Sequence, residues 1–368
     1  MTEDQPPVWR ALRVTYYAEP KDDLVLGTVR PLLRAVRAQV GRAYFIRHWR
    51  RGPHLLVPME AAPAVFDDVV RPAAQVIVGQ YLAEFPSRAT LMPEHQMLPM
   101  FRTLAEMEQE TRPVWPPCPD NTLDIEPHDL RAEQVGGTDL AELIADFYAA
   151  TNDLVFDMLE SVRSGQGREA LCLGLMLATA HRHGGEPSHL RSGFVSFRSH
   201  AEAFLHHCSS PQATRDAFDQ RYRSCQAALA RLVRDVMESV DQTTGRVPFV
   251  AEWVQALRPF WLRSAALAAS GALGSGAPAP DRAPDGRGPS PFHRRLFDSA
   301  AARSQVLERP EFQRYRLMLN LTYLNLARLG LTAYARYLLC HLAANAVEDA
   351  LGVNAVEMIE DLEQHAPP

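Results

Sequence analysis

The chain has 368 residues, of which 46% are hydrophobic and 22% charged, an ordinary globular composition with enough apolar material for a sizeable core. Its formal net charge of −6 argues against nonspecific nucleic-acid binding as the main role. Lys21 is the only lysine and stands in a charged loop or helix start, whereas a Schiff-base lysine must be buried or shielded. We therefore expect neither Schiff-base chemistry nor nucleic-acid partners.

Cysteine and histidine spacing gives no sign of a metal site or of disulfides. The five cysteines are widely separated, and the tandem histidines at 181–183 and 206–207 lack the spacing of converging ligands. No signal-like segment opens the sequence, and the longest apolar stretch, around 171–180, is too short to cross a bilayer. These features predict a soluble, cytoplasmic protein with reduced thiols, no bound metal and no membrane partner.

The first third of the chain is predicted to be rich in strands. Its periodicities indicate a strand at 8–17, a helix at 22–40, a hairpin at 44–57 and a helix at 61–85. This β-α-β-β-α order is that of a ferredoxin-like half. Residues 121–135 alternate apolar and charged side chains and suggest two exposed strands around a Pro127-His128 turn. We place a β-rich, ferredoxin-like part at 1–135.

From residue 136 onwards helices dominate. Residues 139–163, 169–183, 312–329 and 331–351 have helical periodicity, and a Gly/Pro-rich segment at 271–291 is expected to be a mobile loop. The fold class is therefore predicted to be α+β, with the N-terminal ferredoxin-like sheet region packed with a mainly helical part at 136–368. We expect the two parts to form one integrated catalytic unit, and a homodimer is left open.

The turn of the hairpin carries many cationic or titratable groups: Arg47, His48, Arg50, Arg51 and His54. Such groups beside an apolar sheet are costly unless something anionic or polar uses them. The alternative is a solvated arginine-rich turn. On the preceding helix Arg30, Arg34 and Arg37 share one face, which is either a solvated surface or a docking surface for an acidic peptide segment.

Residues 193–202 form a third informative segment. A strand at 193–198 followed by a helix with Ser199 and Glu202 at capping-box spacing would place Arg198, Ser199 and His200 at a helix N-terminus, where anionic groups bind. Ser196 or Ser199, with Arg198 and His200, would then polarise an amide or a leaving hydroxyl. The alternative is plain helix capping.

The last long helix carries polar residues on one face. Tyr334, Leu338, His341 and Asn345 repeat at spacings of four, three and four, and Tyr337 lies beside them. Tyr, His and Asn in a buried stripe need hydrogen-bond partners or a cleft. The face is therefore either a satisfied core network or the wall of a site, to which Tyr323 on the preceding helix is a weaker candidate contributor.

Two short motifs carry a family resemblance. Phe45-Ile-Arg-His-Trp49 followed by Gly52-Pro-His-Leu55, and later Cys340-His-Leu-Ala-Ala-Asn345, resemble the C-terminal, elimination-type domain of lantibiotic dehydratases, which also occurs as stand-alone thiopeptide pyridine synthases. In eliminating members two arginines that handle the departing glutamyl group follow the His-Leu. Here those positions hold Leu56 and Pro58, and the family arginine after Asn345 is Ala346. Aliphatic and proline side chains cannot bind a carboxylate bidentately, so the pyridine synthase branch is favoured.

The resemblance implies an enzyme of thiopeptide biosynthesis that needs no cofactor and whose partner is a ribosomally made precursor peptide with its leader. It would join two dehydroalanines by a formal aza-cycloaddition, closing a macrocycle and a pyridine-type ring and releasing the leader. We name the following candidates: for catalysis His54, Arg198, Ser199, His200, Tyr323, Tyr337 and His341; for substrate binding Arg47, His48, Arg50, Ser196 and Asn345; for leader binding Arg30, Arg34 and Arg37. The last helix is expected to face the His48/His54 hairpin.

Two alternatives stay open. The first keeps the scaffold and makes the chain a stand-alone glutamate-eliminating lyase, against which Leu56 and Pro58 count. The second is a noncatalytic partner that binds the leader peptide, in which case the arginine-rich helix is the important surface.

Overall fold

A computed structural model describes residues 6–184, 189–242, 245–274, 288–299, 304 and 307–364. The chain divides into two compact units, Met1–Gln166 with Ala327–Gly330, and Gly167–Leu326 with Leu331–Pro368. The division that we drew from sequence at residue 135 falls inside the first unit. Most of the Gly/Pro-rich segment at 271–291, namely residues 275–287, lies outside the described residues.

The first unit is built on a four-stranded antiparallel sheet. Its strands are β1 Val8–Thr15, β2 Ile46–His48, β3 His54–Ala61 and β4 Thr122–Pro127, in the order β2-β3-β1-β4. Between β1 and β2 lies a helical run, α1, made of Asp22–Leu24, the π-helical turn Val25–Val29 and Arg30–Val36. Between β3 and β4 lie α2, made of Pro63–Val65, the π-helical turn Phe66–Val70 and Arg71–Glu84, and α3, Glu94–Glu108.

The resulting β-α-β-β-α-β order confirms the ferredoxin-like prediction for this half, and the α+β fold class is confirmed with it. The prediction of two strands at 121–135 is wrong in its second half. Only β4 forms there, and a short helix, α4 Ala132–Val135, follows it. Two further helices, α5 Thr138–Ala150 and α6 Asn152–Arg163, complete the unit and are separated by Thr151.

The second unit is helical throughout its described part. Its helices are α7 Arg168–His183, α8 His189–His207, α9 Pro211–Gln242, α10 Val250–Ala269, α11 Pro291–Asp298, α12 Pro310–Arg328, α13 Ala333–Leu351 and α14 Ala355–Gln364. The last residues of α12, from Ala327, count with the first unit. None of the helices in the described ranges is long and apolar enough to cross a membrane.

The predicted strand at 193–198 is wrong, because these residues lie inside α8. Phe194, Phe197, Ala201 and Leu205 are all buried, and their spacing of three, four and four is that of a helix face. The close packing of α8 on α7 explains Gly193, where a Cβ atom would lie 2.9 Å from the Ala180 carbonyl oxygen. Arg198, Ser199 and His200 therefore lie in mid-helix, and the expected anion site at a helix N-terminus does not exist there.

Candidate functional site

His48 and His54 face each other across the β2–β3 hairpin of the first unit. They are opposed in the strand register, and their ring centroids lie 5.3 Å apart. The backbone N–H groups of Trp49 and Arg50 each donate to His48 Nδ1 at 3.0 Å. His54 Nδ1 lies 2.8 Å from the Gly52 carbonyl oxygen. The two imidazoles are thus held as an adjacent, oriented pair.

Burial chiefly lowers the pKa values of both histidines, and neighbouring arginines lower them further. The pKa of His48 falls to about 3, with Arg50 as the next cause, and that of His54 falls well below its usual value, with Arg13 as the next cause. Arg13 Nη2 lies 3.2 Å from His54 Nδ1. Both imidazoles are therefore neutral at physiological pH.

The predicted substrate-binding arginines of the hairpin are both engaged in ion pairs. Arg50 pairs with Glu126 at 3.3 Å and with Glu110 at 3.9 Å. Arg47 belongs to the opposite face of the sheet from His48, since successive strand residues alternate. There Arg47 donates to Asp22 at 2.7 Å and to the Arg328 carbonyl oxygen at 2.9 Å.

Lys21 differs from the expectation of a charged loop. It is 1% exposed, and its Nζ donates to the Ala18 carbonyl oxygen at 3.2 Å and to Glu19. Burial lowers its pKa, while the bond to Glu19 opposes that shift. Lys21 is therefore buried, and the exposure on which the exclusion of Schiff-base chemistry depended is wrong.

Two of the three arginines predicted to bind the leader line a groove of about 820 Å³. The apolar lining includes Leu26, Tyr81 and Phe85. The charged lining consists of Arg30, Arg34 and Arg163 together with two carboxylates, Asp23 and Glu160. Arg37 is not among the lining residues. Phe85 is 51% exposed, an unusual degree of exposure for a large apolar side chain.

In the second unit three of the predicted residues meet in one polar network between α8, α9 and α13. Arg198 donates to Asn345 Oδ1 at 2.6 Å and also pairs with Glu348. Asn345 Nδ2 lies 2.9 Å from His341 Nε2, and that nitrogen also lies 2.9 Å from Asp219 Oδ1. The structure thus joins Arg198, Asn345 and His341 directly, and the chain of contacts ends at Asp219, which sequence reasoning did not single out.

His341 is almost fully buried, with 1% of its surface exposed. Burial lowers its pKa, followed in effect by the charge of Arg198, while Asp219 opposes the shift. Its Nδ1 atom is buried and has no hydrogen-bond partner among the described residues. The other polar atoms described for this network have hydrogen-bond partners. The alternative that this helix face is a hydrogen-bonded part of the core therefore explains most of its contacts.

His200 and Tyr323 form a second pair within the same unit. His200 Nδ1 lies 2.9 Å from the Tyr323 hydroxyl, which in turn lies 3.4 Å from Cys340 Sγ. Burial raises the pKa of Tyr323 well above its usual value and lowers that of His200 to about 3. Both groups are therefore neutral, and a single hydrogen bond joins them.

Tyr337 lies next to this pair. Its ring stacks on Phe204 at a centroid distance of 4.5 Å. The guanidinium of Arg336 sits over the rings of both Tyr323 and Tyr337, at 5.1 and 5.0 Å from their centroids. Unlike Tyr323, Tyr337 has no hydrogen-bond partner for its hydroxyl in the described ranges of the chain.

The two predicted serines go to different partners. Ser199 Oγ lies 2.9 Å from His293 Nε2, whose Nδ1 lies 2.7 Å from Ser290 Oγ. Ser196 is buried and contacts the hydroxyl of Tyr315. The serines therefore do not share one site with Arg198 as the sequence suggested.

Sequence reasoning missed three residues that the structure brings to these groups: Asp219, His293 and Arg336. Asp219 and His293 are separated from their partners by many residues, so no spacing could have revealed them. Arg336 is the neighbour of Tyr337 in the sequence, but the sequence pattern does not show whether an arginine has an acidic partner in the folded protein. Among the residues that the structure describes, no group of three His, Cys, Asp or Glu side chains is arranged to hold a metal ion.

Comparison with known proteins decides the family. The model of the lantibiotic biosynthesis dehydratase C-terminal family matches residues 9–347. The chain belongs to this family. It is also similar to the pyridine synthase TbtD from thiomuracin biosynthesis, with 36% identity, a TM-score of 0.76, and 94% of this chain and 99% of that one covered.

A second solved structure, that of TsrL, shares the fold. It has 20% identity and a TM-score of 0.68, and the match covers 98% of this chain and 99% of that one. None of the curated proteins matches the chain. The resemblance to the family that the two short motifs indicated is thus confirmed.

The structure also places the two positions at which the chain departs from eliminating members of the family. Leu56 and Pro58 are both buried in β3, on the sheet face that carries His54. Pro58 lies opposite Ala11 of β1 and lacks an N–H; on its other side its carbonyl oxygen accepts from Tyr44 N at 3.1 Å. This part of the strand holds no cation at either position.

Proposed function

We propose that this protein is a peptide-modifying enzyme that forms a pyridine-type ring in thiopeptide biosynthesis. The observation that carries the proposal is the similarity to the pyridine synthase TbtD, at 36% identity over 94% of the chain. The substitutions Leu56 and Pro58 support the same branch, since they remove two cations that glutamate elimination would use.

The proposed substrate is a ribosomally made precursor peptide that carries two dehydroalanines. An amide of the peptide tautomerises to an iminol, which together with the adjoining alkene forms a 2-azadiene. Two C–C bonds then join this diene to the other alkene, one between the two CH2 carbons and one between the amide carbon and the α-carbon of the second dehydroalanine; the ring nitrogen is that of the amide. Loss of water and of the leader peptide makes the ring aromatic. The protein must bring distant alkenes together, which is a matter of proximity, and must place a proton donor and acceptor at the amide. We expect no cofactor.

We propose two groups for the proton transfers. In the first unit His48 and His54 are neutral, oriented and adjacent, as a donor and an acceptor must be. In the second unit His200 and Tyr323 are joined at 2.9 Å. His341 and Asn345 remain candidates, but their network with Arg198 is largely satisfied internally.

The leader peptide is proposed to dock in the groove between α1 and α2. The groove has an apolar lining from Leu26, Tyr81 and Phe85. Its charged lining comprises Arg30, Arg34, Arg163, Asp23 and Glu160, and Arg163 is paired with both of these carboxylates. Arg30 is partly neutralised by Asp157 and Glu160, each at 3.6 Å, whereas Arg34 is exposed. An amphipathic segment with apolar and acidic side chains would match both parts.

Mass spectrometry of the purified protein with an azole-containing precursor that bears two dehydroalanines tests the proposal. Formation of a macrocycle with release of an intact leader is expected. Conversion of a glutamylated precursor into a dehydrated one would instead establish the elimination reading. A precursor that binds but is unchanged, under conditions where TbtD converts its own substrate, would favour the noncatalytic peptide-binding partner.

A further inference from the structure

The three arginines that sequence reasoning assigned to catalysis or to binding of the reacting part of the substrate each have a carboxylate partner. The pairs are Arg47 with Asp22 at 2.7 Å, Arg50 with Glu126 at 3.3 Å, and Arg198 with Glu348. A guanidinium that is already paired has less net charge to offer to a reacting group. These arginines are therefore poor candidates for stabilising negative charge that appears only during a reaction.

Arg336 on α13 is different. It is half-buried and has neither an ion pair nor a hydrogen bond to any described residue. It is held instead by two aromatic rings, with its guanidinium carbon 5.1 Å from the centroid of Tyr323 and 5.0 Å from that of Tyr337. Stacking on aromatic faces orients a guanidinium and leaves its N–H donors free.

A second unpaired arginine lies on the helix that carries Tyr323, seven residues before it, which puts the two side chains on one face of α12. Arg316 on α12 is half-buried, and no carboxylate in the described part of the chain pairs with it. Burial lowers its pKa. After burial, the charges of Arg336 and Arg316 are the largest causes that lower the pKa of His200. The surroundings of His200 therefore carry uncompensated positive charge.

Uncompensated positive charge in a partly buried place is costly unless a negative group enters it. The groups around it are suited to a polar substrate. Tyr323 and His200 offer a hydrogen-bonded pair at 2.9 Å, and the hydroxyl of Tyr337 has no partner among the described residues. The arrangement is preorganised for an oxygen atom that gains negative charge, as in an oxyanion hole.

We propose that Arg336 is a catalytic residue that donates hydrogen bonds to the oxygen of the substrate amide that cyclises, with Arg316 adding positive charge to the same place. This inference rests on the proposed function. As the amide nitrogen gives its proton to a base, the electron pair shifts towards the carbonyl oxygen, and Arg336 stabilises the charge there. No bond to the arginine forms, and the oxygen later leaves in the water that the reaction releases.

The test compares Arg336→Gln, Arg336→Lys and the control Arg314→Gln with the wild-type protein. Arg314 also stacks on an aromatic ring, at 3.9 Å from the centroid of Trp261, but it bonds to Ser264 and the Trp261 carbonyl oxygen. Each variant is assayed for the rate of macrocycle formation at saturating precursor and for precursor affinity by fluorescence anisotropy. Thermal unfolding shows whether each variant is folded.

Loss of one preorganised donor to an oxyanion lowers kcat by about 100-fold or more. We therefore expect Arg336→Gln to lose about that factor in kcat, with precursor affinity within about threefold of wild type. Arg336→Lys should recover part of the rate, and Arg314→Gln should stay within about twofold. A folded Arg336→Gln variant with a wild-type kcat overturns the inference while leaving the proposed function intact.

If the wild-type protein makes no macrocycle, the proposed function fails and a second readout decides the inference. Acetate then serves as a small carboxylate probe, and the ring resonances of His200 are followed by NMR. A saturable shift that is lost in Arg336→Gln supports an oxyanion site. Absence of a saturable shift in the wild-type protein overturns it.

Discussion

His48 and His54 lie side by side and carry their ring protons on opposite nitrogens. His48 Nδ1 accepts from two backbone N–H groups, so its proton is on Nε2. His54 Nδ1 has two polar neighbours, the Gly52 carbonyl oxygen at 2.8 Å and Arg13 Nη2 at 3.2 Å. The closer one is an oxygen that can only accept, so we assign the proton to Nδ1 and a lone pair to Nε2. The hairpin therefore presents one N–H donor and one basic nitrogen, the two functions that amide tautomerisation requires.

His54→Asn tests this arrangement, because the asparagine side-chain amide can still donate to the Gly52 carbonyl oxygen but offers no basic nitrogen. We expect macrocycle formation to slow by about 100-fold or more, as for loss of a general base. His48→Asn, whose side-chain oxygen can accept the same two backbone N–H groups, should lose rate similarly. A wild-type rate in both variants would remove the hairpin from the mechanism.

His54 makes the stability of the folded protein depend on pH. Its pKa in the folded protein is well below its usual value, so below about pH 6.5 the unfolded chain binds a proton that the folded one does not. Stability is therefore full above that pH and falls as the pH drops, by about 1.4 kcal/mol per pH unit for this one group. Urea unfolding between pH 6.5 and 5 should show a shallower slope in His54→Asn by about that amount. An unchanged slope would contradict the lowered pKa.

Tyr323→Phe removes the hydroxyl that joins His200 and Cys340. We expect about 1 kcal/mol of lost stability from the broken hydrogen bonding and a drop in conversion of about 100-fold. Tyr44→Phe is the matched control, since the Tyr44 hydroxyl also meets a histidine, His128 Nε2, at 3.1 Å. If Tyr323→Phe and Tyr44→Phe lose activity equally, the lower stability of the folded protein explains the loss, and proton transfer through Tyr323 does not.

Tyr337→Phe should separate function from stability. Its hydroxyl has no hydrogen-bond partner among the described residues, so the free energy of unfolding should change by less than about 0.5 kcal/mol. If the hydroxyl donates to the substrate amide, conversion falls while precursor affinity holds. Steady-state kinetics with thermal unfolding measure both. Unchanged kcat would assign Tyr337 to packing against Phe204.

Arg34→Glu should weaken binding of the leader peptide about tenfold, because it places a negative charge beside a groove proposed to receive acidic side chains. Raising the ionic strength should shrink the difference from wild type. Arg88→Glu makes the same charge change at an exposed position away from the groove lining and should bind normally. Equal losses in both variants would indicate a general effect of net charge.

Local patterns were enough to predict much of the fold. The alternation of β1 and the hairpin, and the periodicity of α1 and α2, arise from interactions between near neighbours that each segment carries within itself. The error at 193–198 has the opposite origin. Phe194 and Phe197 favour a strand locally, but burial against α7 on one helical face outweighs that preference.

The sequence by itself determined the family, because the two short motifs and the distance between them can be recognised in the sequence without a structure. It also supplied the candidate residues, which lie on the hairpin and on α8, α12 and α13 and remain predictions. Only the tertiary structure decided which of them are available. Packing brought Asp219 to His341 and carboxylates to Arg47, Arg50 and Arg198, yet left Arg336 against two aromatic rings with no acidic partner among the described residues. Ion pairing depends on distances in space between residues far apart in the chain, and no spacing in the sequence encodes those distances.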